Sequence, residues 1–146
     1  MICRIVNKTH EMAADAERLK ATLAIESATS FVKIYYDFVD KMRHKLAKLY
    51  MEEASLVWNG NTLKGNAAIQ KFYEDLPVSS HTITCMDSQP VRDENAGGQS
   101  TILVTTYGTS SFQERKQLFQ QTFLITAEND KWKVVSDNFR FQTVVA

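Results

Sequence analysis

The chain has 146 residues, the length of one domain with a sizeable core, and its 17 Lys plus Arg balance 17 Asp plus Glu to a formal charge of zero. That balance excludes a dedicated electrostatic binder of nucleic acid or membrane surfaces, whose affinity comes from excess cations meeting phosphates. A hydrophobic share of 44% with 23% charged residues excludes general disorder, and a neutral domain lacks the net charge that keeps solitary proteins soluble, which points to a partner.

The two cysteines, Cys3 and Cys85, predict no disulfide framework and a reducing compartment. No apolar stretch approaches the roughly 20 residues of a membrane span. The opening MICRIVNKTHEM lacks the apolar core and cleavage site of a secretory signal, so a nuclear or cytoplasmic protein is expected.

Residues 1 to about 10 show no clear period and read as a loose tail. Residues 1–20 are taken as a flexible or helical lead-in to a single domain over 21–146. The first glycine is Gly60 and the first proline Pro77, so the opening third carries no strong helix breaker. Within it Leu19, Leu23, Phe31, Ile34, Phe38, Met42, Leu46 and Leu49 recur at helical steps. The pattern is long for one helix and predicts two, dividing in the charged stretch Asp37 to Arg43.

After Tyr50 the period changes. Ala54 to Trp58 reads as a strand, and Asn59-Gly60 as a tight hairpin turn. Asn66 is the expected cap of a helix with the face Ile69, Phe72, Tyr73, Leu76, ended by Pro77. Strands are then predicted at 81–89, 100–112, 116–127 and 131–143. Their connections are Arg92 to Gln99, the charged turn Glu114-Arg115-Lys116, and Glu128-Asn129-Asp130. Helices first and a mostly antiparallel sheet afterwards make an α+β fold.

Strand alternation exposes an unusual second face. From Gln99 to Gln113, and from Gln117 to Ala127, there is no Asp, Glu, Lys or Arg. A wet sheet face normally carries charges, which also guard against unwanted pairing. One face can pack on the helices; the other, rich in Thr, Gln, Leu and Val, reads as a surface that a partner covers. The alternative is a sheet covered on both faces by the chain's own helices. In the last strand Arg140 alternates with Phe139 and Phe141 and is the only basic residue after Lys133, either a solvated arginine or an anchor for a partner carboxylate.

Several segments together resemble one family. They are Phe31 to Tyr36, Leu49-Tyr50-Met51, Ala54 to Asn61, Gln89-Pro90-Val91 and Ser136-Asp137-Asn138-Phe139-Arg140-Phe141-Gln142. In this order they are similar to the nuclear transport factor two superfamily, and within it to the NXT-type nuclear export cofactors, over residues 25 to 143. The resemblance implies a cone-shaped α+β domain, with helices packed in the concave face of a strongly bent antiparallel sheet whose convex face pairs with a second domain of the same fold.

For NXT-type proteins that second domain belongs to the large messenger-RNA export receptor. The implied function is a non-catalytic cofactor that shuttles between nucleus and cytoplasm, meeting nucleoporins and RNA through the receptor. The family's receptor-pairing arginine maps onto Arg140, and Asn138, Gln142, Gln120, Thr122 and Leu124 complete the expected contact. The branch importing a small GTPase carries an acid after the strand tryptophan; here Asn59 follows Trp58, a departure that argues against that cargo.

Two other readings stand beside it. One is a homodimeric adaptor of the same fold gripping short peptides. The other is a small isomerase or dehydratase using a carboxylate or imidazole inside the cone, with Asp37, Asp40, His81, Asp87, Asp137, Tyr35, Tyr36 and Tyr107 as candidates. The aromatic residues are enough to fill such a cone, and His81 is read as a surface residue. His10, His44 and His81 have no zinc spacing, no phosphate-loop motif occurs, and neither a cofactor nor a metal is expected. The basic run Lys41, Arg43, His44, Lys45, Lys48 is read first as a solvated helix face.

Overall fold

A computed structural model describes residues 2–91 and 100–142, with side chains from residue 11 onward. The predicted connection from Arg92 to Gln99, and residue 143, lie outside the described residues.

With no glycine or proline to interrupt it, the opening segment is one helix, α1, over Ile2–Lys41, so the loose tail expected up to about residue 10 is corrected to helix from Ile2. It ends where Met42 leaves helical geometry (φ −141°, ψ 51°), and a 3-10 helix follows over Arg43–Leu49. The division falls inside the expected Asp37 to Arg43 stretch.

The buried face of α1 differs from the predicted stripe. Ala24, Ala28, Phe31, Val32, Tyr35, Tyr36 and Val39 enter the core, whereas Leu19, Leu23 and Ile34 are exposed. A count of apolar spacing treats tyrosines as polar, but here their hydroxyls find partners inside, so their rings bury like any large apolar side chain. Residues 11–23 are all exposed, and Ala24 is the first to enter the core among the residues whose side chains are described.

The sheet has six strands: β1 Tyr50–Trp58, β2 Asn61–Lys64, β3 Ser79–Val91, β4 Thr101–Phe112, β5 Arg115–Glu128 and β6 Lys131–Phe141. Helix α2, Asn66–Asp75, lies between β2 and β3. The spatial order is β2-β1-β6-β5-β4-β3. The architecture is the expected α+β cone, with one correction: β1 runs parallel to β6, so the sheet is mixed rather than antiparallel throughout. The two strands are far apart in sequence and joined through a long crossover, which permits a parallel pair.

Three two-residue turns carry left-handed φ at both positions: Asn59-Gly60, Gln113-Glu114 and Asn129-Asp130. Their twist matches that of the flanking strands. The second lies one to two residues before the predicted one, leaving Arg115 and Lys116 in β5. The N-cap of α2 is Gly65 (φ 92°), with no side-chain cap; Asn66 is the first helical residue. Ile69 and Tyr73 bury, with Phe72 and Leu76 packed against the core, as their spacing predicts.

Two bulges re-aim side chains. One falls between Ile83 and Cys85 in the β3–β4 ladder, the other between Leu124 and Ile125 in the β5–β6 ladder. The second swaps the expected alternation at its site, so Val134 is buried and Val135 lies outside. At the first, the Thr82 carbonyl comes so near Gly108 that a Cβ there would stand 2.0 Å from its oxygen, a contact only glycine permits.

Candidate protein interface

The register gathers the predicted residues on one face. Gln120 lies directly opposite Arg140, Thr122 opposite Asn138, and Leu124 opposite Ser136. Gln142 follows the end of β6, and its backbone N–H donates to the Leu118 carbonyl at 2.9 Å. The pairing continues across the sheet. Tyr107 stands beside Gln120, Thr105 beside Thr122 and Leu103 beside Leu124, and these meet Cys85, Asp87 and Gln89 of β3. On the other side Ser55 and Val57 of β1 adjoin Ser136 and Asn138.

This outer face is open, while the inner face of the same strands, with Val104, Thr106, Phe119, Gln121, Phe123 and Phe139, is buried against the helices. Arg140 and Asn138 are exposed; Gln120, Thr122 and Leu124 are half-buried by their cross-strand neighbours. Leu118 is 55% exposed. The alternative of helices on both faces is thereby corrected: three helical segments cover one side only. Arg140 has no hydrogen-bond or ion-pair partner among the described residues. The residues directly opposite and beside it, Gln120, Asn138 and Gln142, are uncharged and give that guanidinium no carboxylate to pair with.

The inner face holds a polar network that sequence reasoning missed as a unit. Asp137, only 3% exposed, accepts from Tyr50 Oη at 2.5 Å, from Tyr35 Oη at 3.2 Å and from Gln121 Nε2 at 2.9 and 3.1 Å. Tyr73 Oη lies 2.9 Å from Tyr35 Oη. Tyr36 donates to Gln121 Oε1 at 2.6 Å and sits 2.8 Å from Thr106 Oγ1. Burial pushes the Asp137 carboxyl up to about 6, against the pull of its hydrogen bonds from Tyr50, Gln121 and Tyr35. Burial, with the Asp137 charge adding to it, also raises Tyr35 and Tyr50 well above the usual phenol range.

A second cluster ties α1 to the start of β3. Asp40 accepts from Ser79 Oγ at 2.8 Å and from the His81 backbone N–H at 2.9 Å, and its Oδ1 stands 2.7 Å from His81 Nδ1. The His81 side chain is 2% exposed and boxed by Tyr36, Phe112, Phe119 and Phe139. It is a core residue, not the surface residue expected. Arg43 donates to the carbonyls of Val39, Tyr73, Leu76 and Pro77 and to Ser79 Oγ. It thus satisfies the carboxyl end of α2 and leaves the basic run, whose Lys41, His44, Lys45 and Lys48 are exposed.

Of the candidates for chemistry, Asp137, Tyr35 and Tyr36 come together in the buried network, with His81 and its partner Asp40 beside Tyr36, and the others are dispersed. Asp37 is exposed on α1, Asp40 holds His81, and Asp87 and Tyr107 lie on the outer face, away from the cone interior. Asp137 is surrounded by protein donors. A cleft of about 690 Å³ between α1 and the sheet end is lined by Leu23, Ala24, Val91, Ile102 and Trp132. Another of about 790 Å³ lies beside Met51, Glu52, Glu53 and Val135. Neither is lined by Asp137. Among the described residues no three His, Cys, Asp or Glu come together to hold a metal, and no helix is long and apolar enough to cross a membrane.

Tyr107, Thr105, Leu103, Cys85 and Asp87 were not assigned to the interface from sequence. Their common face depends on the β3–β4–β5 register and on the bulge before Cys85, neither of which local alternation reveals.

The fold and the sequence are similar to those of known proteins. The chain is 44% identical over 124 residues to human NTF2-related export protein 2, covering 82% of this chain and 87% of that protein. It is 45% identical over 124 residues to cattle (Bos taurus) NTF2-related export protein 1, covering 82% and 89%. The solved structure of nuclear transport factor 2 from Cryptosporidium parvum superposes with a TM-score of 0.72 at 23% identity, over 82% of this chain and 94% of that one, a likeness of fold. The family model described as the nuclear transport factor 2 (NTF2) domain matches residues 27–141, and the chain belongs to that family.

Proposed function

We propose that this protein is a non-catalytic cofactor in nuclear export of messenger RNA, and that its outer sheet face forms a heterodimer with the like domain of the large export receptor. The observation that carries the reading is the broad outer face, sparse in charge, with an exposed Arg140 at its centre line that has no partner among the described residues. Interface cores lack Lys, Glu and Asp, and a guanidinium offers two parallel bonds to a carboxylate. The export proteins to which the chain is similar support the process.

In this reading Arg140, Asn138, Gln142, Gln120, Thr122 and Leu124 contact the receptor, and Tyr107 and Leu118 extend the contact. The protein shuttles between nucleus and cytoplasm, and nucleoporins and RNA reach it through the receptor. The carboxylate of Asp137 is engaged by Tyr50, Tyr35 and Gln121, which supports a structural role for it over an acid–base one.

The test is affinity of the purified chain for the receptor's NTF2-like domain. Arg140→Ala should weaken it by about 2–5 kcal/mol, the cost of truncating one partner of a buried charge pair. Unchanged affinity sinks the assignment of Arg140, and a wild-type chain that forms a stable homodimer and ignores the receptor supports the adaptor reading instead.

A further inference from the structure

The outer face of β3 to β6 is laid out in rows by the register. One row holds Cys85, Tyr107, Gln120 and Arg140; the next Asp87, Thr105, Thr122 and Asn138; the next Gln89, Leu103, Leu124 and Ser136. At the other end Thr82, Thr109, Leu118 and Gln142 form a fourth. Across these rows two side chains are charged, Arg140 and Asp87, of opposite sign, the first on β6 in the middle of the sheet and the second on the edge strand β3. Both are exposed, and neither has a partner among the described residues.

Three strand spacings and one row separate the two, about 16 Å along the sheet. A stable interface covers roughly 800 Å² per partner, about 30 Å across. A partner centred on the middle of these rows, over Tyr107 and Gln120 on β4 and β5, lies over both Arg140 and Asp87. A carboxylate covered without a counter-charge would be strongly unfavourable, and the one cation in these rows, Arg140, stands three strands away, too far to pair with it.

We propose that Asp87 is a second charged anchor of the heterodimer, and that the partner's face carries a Lys or Arg opposite it as well as the carboxylate that meets Arg140. The inference rests on the heterodimer reading above. Two unlike charges fix orientation: turning the partner by half a turn about the sheet normal brings like charges together at both ends, which rejects that docking.

The experiment measures binding of the full chain to the receptor's NTF2-like domain at low and at high salt, with Asp87→Asn, Asp87→Lys and, as a control with the same charge change, Asp37→Lys on the exposed side of α1. Asp87→Lys should raise Kd by about tenfold or more at low salt, Asp87→Asn by less, and the loss should shrink as salt is added. Asp37→Lys should stay within about twofold.

If Asp87→Lys binds like Asp37→Lys while the wild type binds well, the anchor is overturned and the heterodimer stands. If the wild type does not bind, both fall. Thermal melting of the free variants checks folding; should Asp87→Lys fail to fold, Asp87→Asn and Asp87→Ser decide the matter by the same measurement. A wild-type chain that self-associates without the receptor, and loses this in Asp87→Lys, overturns the foreign partner in favour of a second copy.

Discussion

The Tyr50 hydroxyl donates to Asp137 Oδ2 at 2.5 Å where both residues are almost fully buried, so the start of β1 is joined to β6 by a polar bond inside the core. The bond crosses the one parallel pair of the sheet, between strands paired at Tyr50 and again from Ser55 but not between. An acid so placed makes stability depend on pH. Burial raises its folded pKa from 3.8 to about 6. Between these values the folded chain binds more protons than the unfolded one, so this residue's contribution falls as pH rises through the window and is flat above it. Asp137→Asn removes the effect. Its stability relative to wild type should climb from pH 4 to about 6.5 and then level, as measured by urea unfolding at each pH; a difference that is constant over that range refutes the argument.

Asp137→Leu is a harsher change. It leaves Tyr50, Tyr35 and Gln121 with donors aimed at an apolar side chain. The expected loss is about 3 kcal/mol in urea unfolding at pH 7, larger than for Asp137→Asn.

Asp40 satisfies Ser79, the His81 backbone and the His81 ring at once. Asp40→Ala strands all three next to Arg43. A loss of about 2–3 kcal/mol is expected, together with faster amide exchange at the start of β3, since that strand end is held to α1 through this carboxylate.

Gly108→Ala places a methyl 2.0 Å from the Thr82 carbonyl oxygen. Backbone on both sides prevents an easy adjustment, and a loss of about 2 kcal/mol or more is expected in chemical unfolding. Because the bulge aims Cys85 and Asp87 outward, receptor affinity should fall as well.

Removing residues 1–20 should leave the fold intact. Residues 11–20 are all exposed and, among the residues whose side chains are described, the core begins at Ala24, so calorimetry should show unfolding shifted by less than about 1 kcal/mol. A large loss would place part of the hydrophobic core in this segment.

Much of this molecule was legible locally. The absence of glycine and proline before Gly60 foretold helix in the opening third and its division near Met42, though not that α1 begins at Ile2 where a loose tail was expected; Asn59-Gly60 and Asn129-Asp130 foretold their turns, and Ile69 and Tyr73 foretold the buried face of α2. The charge-free stretches marked an open sheet face, because alternation and composition act within a few residues and need no knowledge of distant neighbours. Apolar spacing failed on α1, where Tyr35 and Tyr36 displaced Ile34 from the core because their hydroxyls met Asp137, Gln121 and Thr106.

The sequence by itself therefore determined the strands and helices that follow Tyr50, their order and the charge-free stretches of β4 and β5. Only the tertiary structure decided that β1 joins β6 in parallel, that Asp137 is buried among tyrosines while Asp87 lies outside, and that Gln120 stands opposite Arg140. Each of these depends on register and bulges, which are set by contacts between residues far apart in the chain, and a shift of one residue would send every side chain of a strand to the other face.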